Sequence, residues 1–310
     1  MESRKPRAKR PGRPPWIFLA CALVALMATC ADAFAATRGP APAAPHTPGG
    51  GLLINGRTIT PAGSQSRLGD LPVNAVLSPD GGHLLVVNSG AGVQSVQVVA
   101  TKTGAVVQTI PYLAPDSAFV GAAYSPDGAQ AYVAGGGSGA VHTFAVAGDG
   151  TLTKQGDIQL GAPKQNPFPI GLSVSPDGAR LAVANNLAND VALVDLRSRH
   201  LVATIPVGGY PYAALFSRDG ARLYVSNWAN ASLSVIDVAG ASVTETVEVG
   251  QHPNTMLWTS KDRLAVADAN SDAVSLVDTR SNRETARVSV RPYAGAPAGS
   301  SPQGLAASPD

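Results

Sequence analysis

The sequence predicts an all-β fold, a β-propeller built from four-stranded blades, on three observations. A short turn motif recurs, each copy leads into an alternating apolar run, and the copies are spaced a blade's length apart. Ser78-Pro79-Asp80-Gly81 returns as Ser125-Pro126-Asp127-Gly128 and Ser175-Pro176-Asp177-Gly178, and in altered form as Ser217-Arg218-Asp219-Gly220. The runs behind these turns are HLLVVN (83–88), QAYVAG (130–135), RLAVAN (180–185) and RLYVSN (222–227). A fifth run, RLAVAD (263–268), follows a shortened turn at Ser260-Lys261-Asp262. The last residues of the runs are Asn88, Gly135, Asn185, Asn227 and Asp268, at spacings of 47, 50, 42 and 41.

The fourth unit shows how each repeat supplies four strands. YAALFS (212–217) is the first, RLYVSN the second, SLSVIDV (232–238) the third and VTETVEVG (243–250) the fourth. Val, Ile, Leu and Thr fill them, and Gly, Asn, Asp and Pro bound them, which is strand-and-turn chemistry. In the turn, Pro presets φ, Asp bonds the local backbone and Gly accepts a left-handed conformation. The chain's 33 glycines and 25 prolines suit many tight turns. No segment after the N-terminal region holds a 3.6-residue period. The blades complete within the sequence number five, with a sixth just begun, and about seven would close a ring.

The N-terminus reads as an address, not as fold. Arg4, Lys5, Arg7, Lys9, Arg10 and Arg13 precede an apolar run over 16–29, and Ala31-Asp32-Ala33 and Ala33-Phe34-Ala35 offer small-residue cleavage sites. This is the order of a secretory signal peptide over 1–35. The run is shorter than the roughly 20 residues of a spanning helix. The expected location is periplasmic or extracellular, with the membrane met only during export. Cys30 follows Met27-Ala28-Thr29, a poor match to a lipoprotein cleavage box. Residues 36–51, rich in Ala, Pro and Gly, read as a flexible leader, and 52–310 as the propeller.

Cleavage changes the charge. The signal removes six basic and two acidic residues from a chain of net charge +2, leaving about −2. A basic footprint for nucleic acid is absent. Both cysteines, Cys21 and Cys30, lie in the signal, so disulfides, thiol nucleophiles and cysteine metal sites are excluded from the mature chain.

The phrases SPDGARLAVANN (175–186), VALVDL (191–196), TIPVGGYP (204–211), RLYVSNWANASLSVID (222–237) and VEVGQHPN (247–254) resemble the YVTN repeat of YncE-like bacterial propellers. The resemblance runs over about 52–310. NGRTITPAG (55–63) and RPYAGAPAGSSPQGLAASPD (291–310) further resemble long members in which the propeller precedes an alkaline-phosphatase-like phosphoesterase domain. That resemblance implies an enzyme domain beyond the propeller, and the stop at Ser308-Pro309-Asp310, inside a turn, reads as a truncation of the ring; the expected partner is the chain's own C-terminal domain or a protein or small-molecule ligand at the channel face.

Candidate site residues come from the loops that lead into the first strands: LPVN (71–74), FPIG (168–171), YPYA (210–213), HPNT (252–255) and SPQG (301–304). Asn74, Tyr212, Asn254 and Gln303 are expected to ring the channel mouth, with His252 beside them. They either converge on a ligand or bond a neighbouring blade as any repeat position would. The first strands carry no Asp, Glu or His before the fifth turn, so no metal site and no cofactor is expected there, which argues against a metal-dependent lactonase. Asp195, Asp237 and Asp278 follow the blade period and are expected to bond nearby backbone. Gly135-Gly136-Gly137-Ser138-Gly139 lacks the lysine of a phosphate loop and reads as a connection. No residue is assigned a catalytic role. The leading expectation is an exported binding or scaffolding propeller attached to a phosphoesterase. A lactonase-like hydrolase, suggested by Asp149-Gly150-Thr151-Leu152-Thr153, and a surface-layer or adhesion protein stay open.

Overall fold

The computed structural model describes residues 51–52, 58–59, 65–161 and 166–308. The expected signal peptide, the leader as far as residue 50 and the last two residues of the chain lie outside these. The chain divides into two units, 1–65 and 66–310. In the first, β1 (Gly51–Leu52) pairs antiparallel with β2 (Thr58–Ile59).

The second unit is a β-propeller of five four-stranded antiparallel blades. Blade 1 holds β3 (Pro72–Leu77), β4 (His83–Asn88), β5 (Gln94–Ala100) and β6 (Val106–Tyr112). Blade 2 holds β7 (Ala122–Tyr124), β8 (Gln130–Ala134), β9 (Ala140–Val146) and β10 (Leu152–Gln159). Blade 3 holds β11 (Pro169–Val174), β12 (Arg180–Asn185), β13 (Asp190–Asp195) and β14 (His200–Pro206). Blade 4 holds β15 (Pro211–Phe216), β16 (Arg222–Asn227), β17 (Ser232–Asp237) and β18 (Ser242–Glu248). Blade 5 holds β19 (Pro253–Ser260), β20 (Arg263–Asp268), β21 (Ala273–Asp278) and β22 (Arg283–Ser289). Each sheet is a simple meander in chain order. The only helices among the described residues are single 3-10 turns, at Gly136–Ser138, Trp228–Asn230 and Ala269–Ser271.

The recurrent turn folds the same way four times. The hydroxyls of Ser78, Ser125, Ser175 and Ser217 donate to Asp80, Asp127, Asp177 and Asp219 at 2.5–2.6 Å. The same carboxylate oxygens accept from the backbone N–H two residues on, in Gly82, Ala129, Ala179 and Ala221. Gly81, Gly128, Gly178 and Gly220 take φ of +72° or +73°, a conformation that favours glycine. The serine hydroxyls, then the backbone N–H groups, hold all four carboxyls below the usual range. Asp195, Asp237 and Asp278 likewise accept from backbone N–H groups of the next turn.

The apolar core lies between blades, not within them. Leu85, Val87 and Val96 of blade 1 meet Tyr124, Val133 and Phe144 of blade 2. Tyr132 and Val141 meet Leu181 and Val183 across blades 2 and 3. Ala184 and Val191 meet Phe216 and Val225 across blades 3 and 4. Tyr224 and Leu233 meet Met256 and Leu264 across blades 4 and 5. Each blade is thus stabilised by its neighbours in the chain.

Candidate channel site

Strand polarity fixes two ends of the propeller. First strands start at one end, where the inter-blade loops and the 3-10 turns gather; they finish at the other, where the serine-aspartate turns lie. At the loop end, the first strands of blades 1, 3, 4 and 5 are each reached through a residue and a proline, whereas that of blade 2 is entered through Phe119-Val120-Gly121. The residue before that proline has positive φ in all four blades with a full-length first strand: Leu71 (+50°), Phe168 (+57°), Tyr210 (+51°) and His252 (+54°); Ser301 repeats the geometry at +39°. A left-handed conformation costs a side-chain-bearing residue about 1–2 kcal/mol. The compensation is visible in the hydrogen bonds. The carbonyls of Leu71, Phe168, Tyr210 and His252 accept from Ser89, Asn186, Trp228 and Ala269, just past the second strands. The conformation belongs to the repeat.

A second device follows immediately. In four blades the pairing of first and second strands skips a residue just after the proline, between Pro72 and Asn74, Pro169 and Gly171, Pro211 and Ala213, and Pro253 and Met256. Such a bulge re-aims side chains. It separates the predicted residues into two positions. Tyr212, Asn254 and Gln303 stand one place after the proline; Asn74 stands two places after, level with Thr255.

The first strands surround a central channel of about 570 Å³. Asn74, Tyr212, Thr255 and Gln303 supply its polar side chains, against Val73, Val120, Ile170, Leu215 and Leu305 among the apolar ones. Glycines let the inner strands approach closely. A Cβ on Gly171 would stand 2.4 Å from the carbonyl oxygen of Tyr212, and one on Gly121 would stand 2.1 Å from that of Ile170.

The structure therefore brings together three of the five predicted residues. Asn74 lines the channel and also donates to the carbonyl of Val120 in the next blade, at 2.8 Å. Tyr212 lines it with its hydroxyl pushed towards the neutral form by burial. Gln303 lines it, and its carbonyl accepts from Thr255 Oγ1 at 2.6 Å. Asn254 is turned away and buried: its carbonyl accepts from Ser226, and its amide reaches the carbonyl of Pro302. Thr255 takes its place at the channel wall. Equivalence with Asn74, two residues past the proline, is the signal that would have found it.

His252 is placed outside the channel wall, at the loop end. Its ring stacks on Trp228, centroids 3.7 Å apart and planes within 5°. Tyr210 meets the same indole edge-on at 6.4 Å. Tyr210 and Trp228 are exposed, at 47% and 36%. Tyr210 and His252 are the two left-handed residues before Pro211 and Pro253, so the backbone geometry of consecutive loops presents both rings to Trp228.

None of the described residues lining the channel is charged, and among the described residues no three His, Cys, Asp or Glu side chains stand together as metal ligands. The buried titratable side chains serve the blades. His142 bonds Asp157 through Nδ1 at 2.8 Å and meets the carbonyl of Ser117 through Nε2 at 2.7 Å. Asp149 caps the β9–β10 hairpin, taking the N–H and hydroxyl of Thr151, a structural use of the stretch that suggested a lactonase.

Solved structures of low sequence identity share the fold. A protein of unknown function from Desulfotomaculum acetoxidans is 18% identical, with a TM-score of 0.63 over 81% of this chain and 77% of that one. Hydrazine synthase of Kuenenia stuttgartiensis is 22% identical, with a TM-score of 0.54 over 71% and 66%. A candidate 6-phosphogluconolactonase from Bacteroides uniformis is 16% identical, with a TM-score of 0.56 over 67% and 66%. No curated protein matches the sequence. The model of the YncE-like β-propeller family matches residues 94–263, from the third strand of blade 1 to the second strand of blade 5. With more than half of its length matched, and with blades of the architecture that the repeats require, the chain belongs to the YncE-like β-propeller family.

Proposed function

We propose that this chain is an exported binding and scaffolding module that takes a ligand or a partner segment at the loop end of its channel and performs no bond chemistry there. The observation that carries this reading is the channel lining itself: hydroxyl and amide side chains set among apolar ones, with no carboxylate, imidazole, thiol or amine among the described lining residues to activate a hydroxyl or hold a metal. The exposed Tyr210–Trp228 pair beside it adds an amphipathic contact surface. In the long family members that the sequence resembles, a phosphoesterase domain follows the propeller; presenting substrate to such a domain, or packing against it, is a role this surface suits.

The test is a thermal-shift screen of the purified mature chain against neutral and phosphorylated small molecules and short peptides, repeated with Tyr212→Ala and Gln303→Ala. A ligand that raises the wild-type Tm, and loses that effect in both variants while their own Tm holds, supports the reading. Turnover of a phosphate ester or a lactone by the purified chain overturns it. A lactonase is the second reading, favoured by the fold shared with the Bacteroides uniformis protein; the uncharged channel weighs against it.

A further inference from the structure

The end of the propeller opposite the loops carries a cleft whose chemistry departs from the repeat. In three of the blades the recurrent turn has proline after serine: Pro79, Pro126 and Pro176. In blade 4 that place is taken by Arg218. In blade 5 the turn is shortened to a hairpin tip carrying Lys261. These two departures stand in consecutive blades, and the fold turns both towards one cleft of about 800 Å³ between blades 4 and 5. Arg222 and Arg280 line the same cleft, with Tyr224 and Trp258 on its wall.

The charges there do not cancel. Asp262 and Asp278 are paired with Arg280, at 3.9 and 3.2 Å. Asp219 is held within its own turn by Ser217 and the N–H of Ala221. Arg222 donates to the carbonyl of Thr279, at 3.0 Å, and lies beside the Tyr224 hydroxyl, which fixes the guanidinium at the cleft wall against the next blade. Among the described residues, Arg218 and Lys261 make neither an ion pair nor a hydrogen bond. The equivalent cleft between blades 2 and 3 is different. Pro126 and Pro176 stand there in the turns, and Arg199 turns inward to the hydroxyl of Thr143 and the carbonyl of Gln155. The cleft between blades 2 and 3 sets two arginines, one of them tied across the blades, against two aspartates, whereas the cleft between blades 4 and 5 sets Arg218, Arg222, Lys261 and Arg280 against Asp219 and Asp262.

We propose that the cleft between blades 4 and 5 binds the phosphoryl group of a small organic phosphate, with Arg218, Arg222 and Lys261 as the cationic ligands and Trp258 beside the organic part. Guanidinium forks match tetrahedral oxyanions, and a lysine adds a flexible point charge. The volume falls in the range of small-molecule sites. The cleft lies at the far end of the strands from the channel mouth, so it is independent of the channel reading.

Titration calorimetry at low salt, on the purified mature chain, tests this with pyrophosphate, a sugar phosphate and the same sugar without phosphate. The variant pair is Arg218→Pro with Lys261→Gln. Arg218→Pro restores the residue of the other turns, and Gly220 already holds the φ of Gly178, so the turn accepts it. Saturable binding of both phosphates that weakens with added salt, is absent for the bare sugar, and falls at least about tenfold in the double variant at unchanged Tm supports the site. Absence of phosphate binding, equal binding of the bare sugar, or undiminished binding in the double variant overturns it. Arg218→Gln replaces Arg218→Pro if the latter lowers the Tm.

Discussion

Asp268 holds Ser275 where Asn227, one blade earlier, holds Ser234. The asparagine donates to the serine hydroxyl at 3.0 Å, whereas the carboxylate accepts from it at 2.6 Å. Both side chains are fully buried, at the end of the second strand. Asn is tolerated there as a neutral group. The acid is not, and burial is the main reason its pKa is pushed up to about 6, with Glu284 adding to the rise against the pull of the Ser275 hydroxyl and Arg287.

Replacing Asp268 with the repeat's own residue follows from this. The folded state binds the Asp268 proton more tightly than the unfolded chain, so stability falls as pH rises from about 4 to 6 and stays at the lower level above that. Asp268→Asn removes this loss. The variant gains about 1–3 kcal/mol over wild type at pH 7, and the gain disappears near pH 4. Thermal melts at the two pH values check it; an equal shift at both would show that the carboxyl's charge is not the cause.

The turn aspartates act in the opposite direction. Asp80, Asp127, Asp177 and Asp219 have folded pKa values below the unfolded one. Their contribution is therefore present above about pH 4 and is lost as pH falls through the lowered values. Ser175→Ala should flatten this acid limb for one turn. It also leaves the Arg180 N–H without the Ser175 oxygen, costing about 1–3 kcal/mol at neutral pH by chemical denaturation.

Gly171→Ala is expected to be among the most damaging small substitutions. The added methyl meets backbone, Tyr212 O and Ala213 Cα at 2.4 and 2.7 Å, and backbone cannot rotate away. The two inner strands must separate, at a cost of about 1–3 kcal/mol. Gly148→Ala, where the methyl meets open space, is the control. Equal melting temperatures for the two variants would contradict the close approach.

His142→Ala should destabilise more than an ordinary surface change. It removes a fully buried ring that bonds Asp157 and Ser117 and lies 4.6 Å from the ring of Tyr112. The expected loss is about 3–5 kcal/mol, from the cavity and from the two lost hydrogen bonds, with Asp157 keeping Lys154 at 3.3 Å. His142→Gln keeps part of the hydrogen bonding and should recover some of that loss. A denaturant titration of the two variants measures the difference.

The blades were legible because a repeat states its own period. One copy of the turn motif says little, but four copies at similar spacing, each before a run such as RLYVSN, leave few architectures open. The channel was legible in part for the same reason: Pro before four of the five first strands marks the loop end. What stayed hidden depends on local geometry without a composition signal. The bulge after the proline shifts Asn254 out of the wall and Thr255 into it, and nothing in His-Pro-Asn-Thr announces the skip. The left-handed backbone at Tyr210 and His252 is set by hydrogen bonds to the following strand ends, so bulky residues occupy a conformation that sequence reasoning assigns to glycine. Trp228 and its partner His252 stand 24 positions apart in the sequence, with no motif that pairs them. His142 was a lone histidine in the sequence. Its role became clear only when the register put it opposite Asp157.

The apolar clusters shared by consecutive blades have a mechanical consequence. The fifth blade cannot peel away without stripping the cover from Tyr224, Leu233 and Val235 of the fourth. Leu223 and Val225 in turn brace Ala184 and Val191 of the third. Stretched along its length, the array would yield in blade-sized steps, each one baring a greasy wall that had been the anchor of the last.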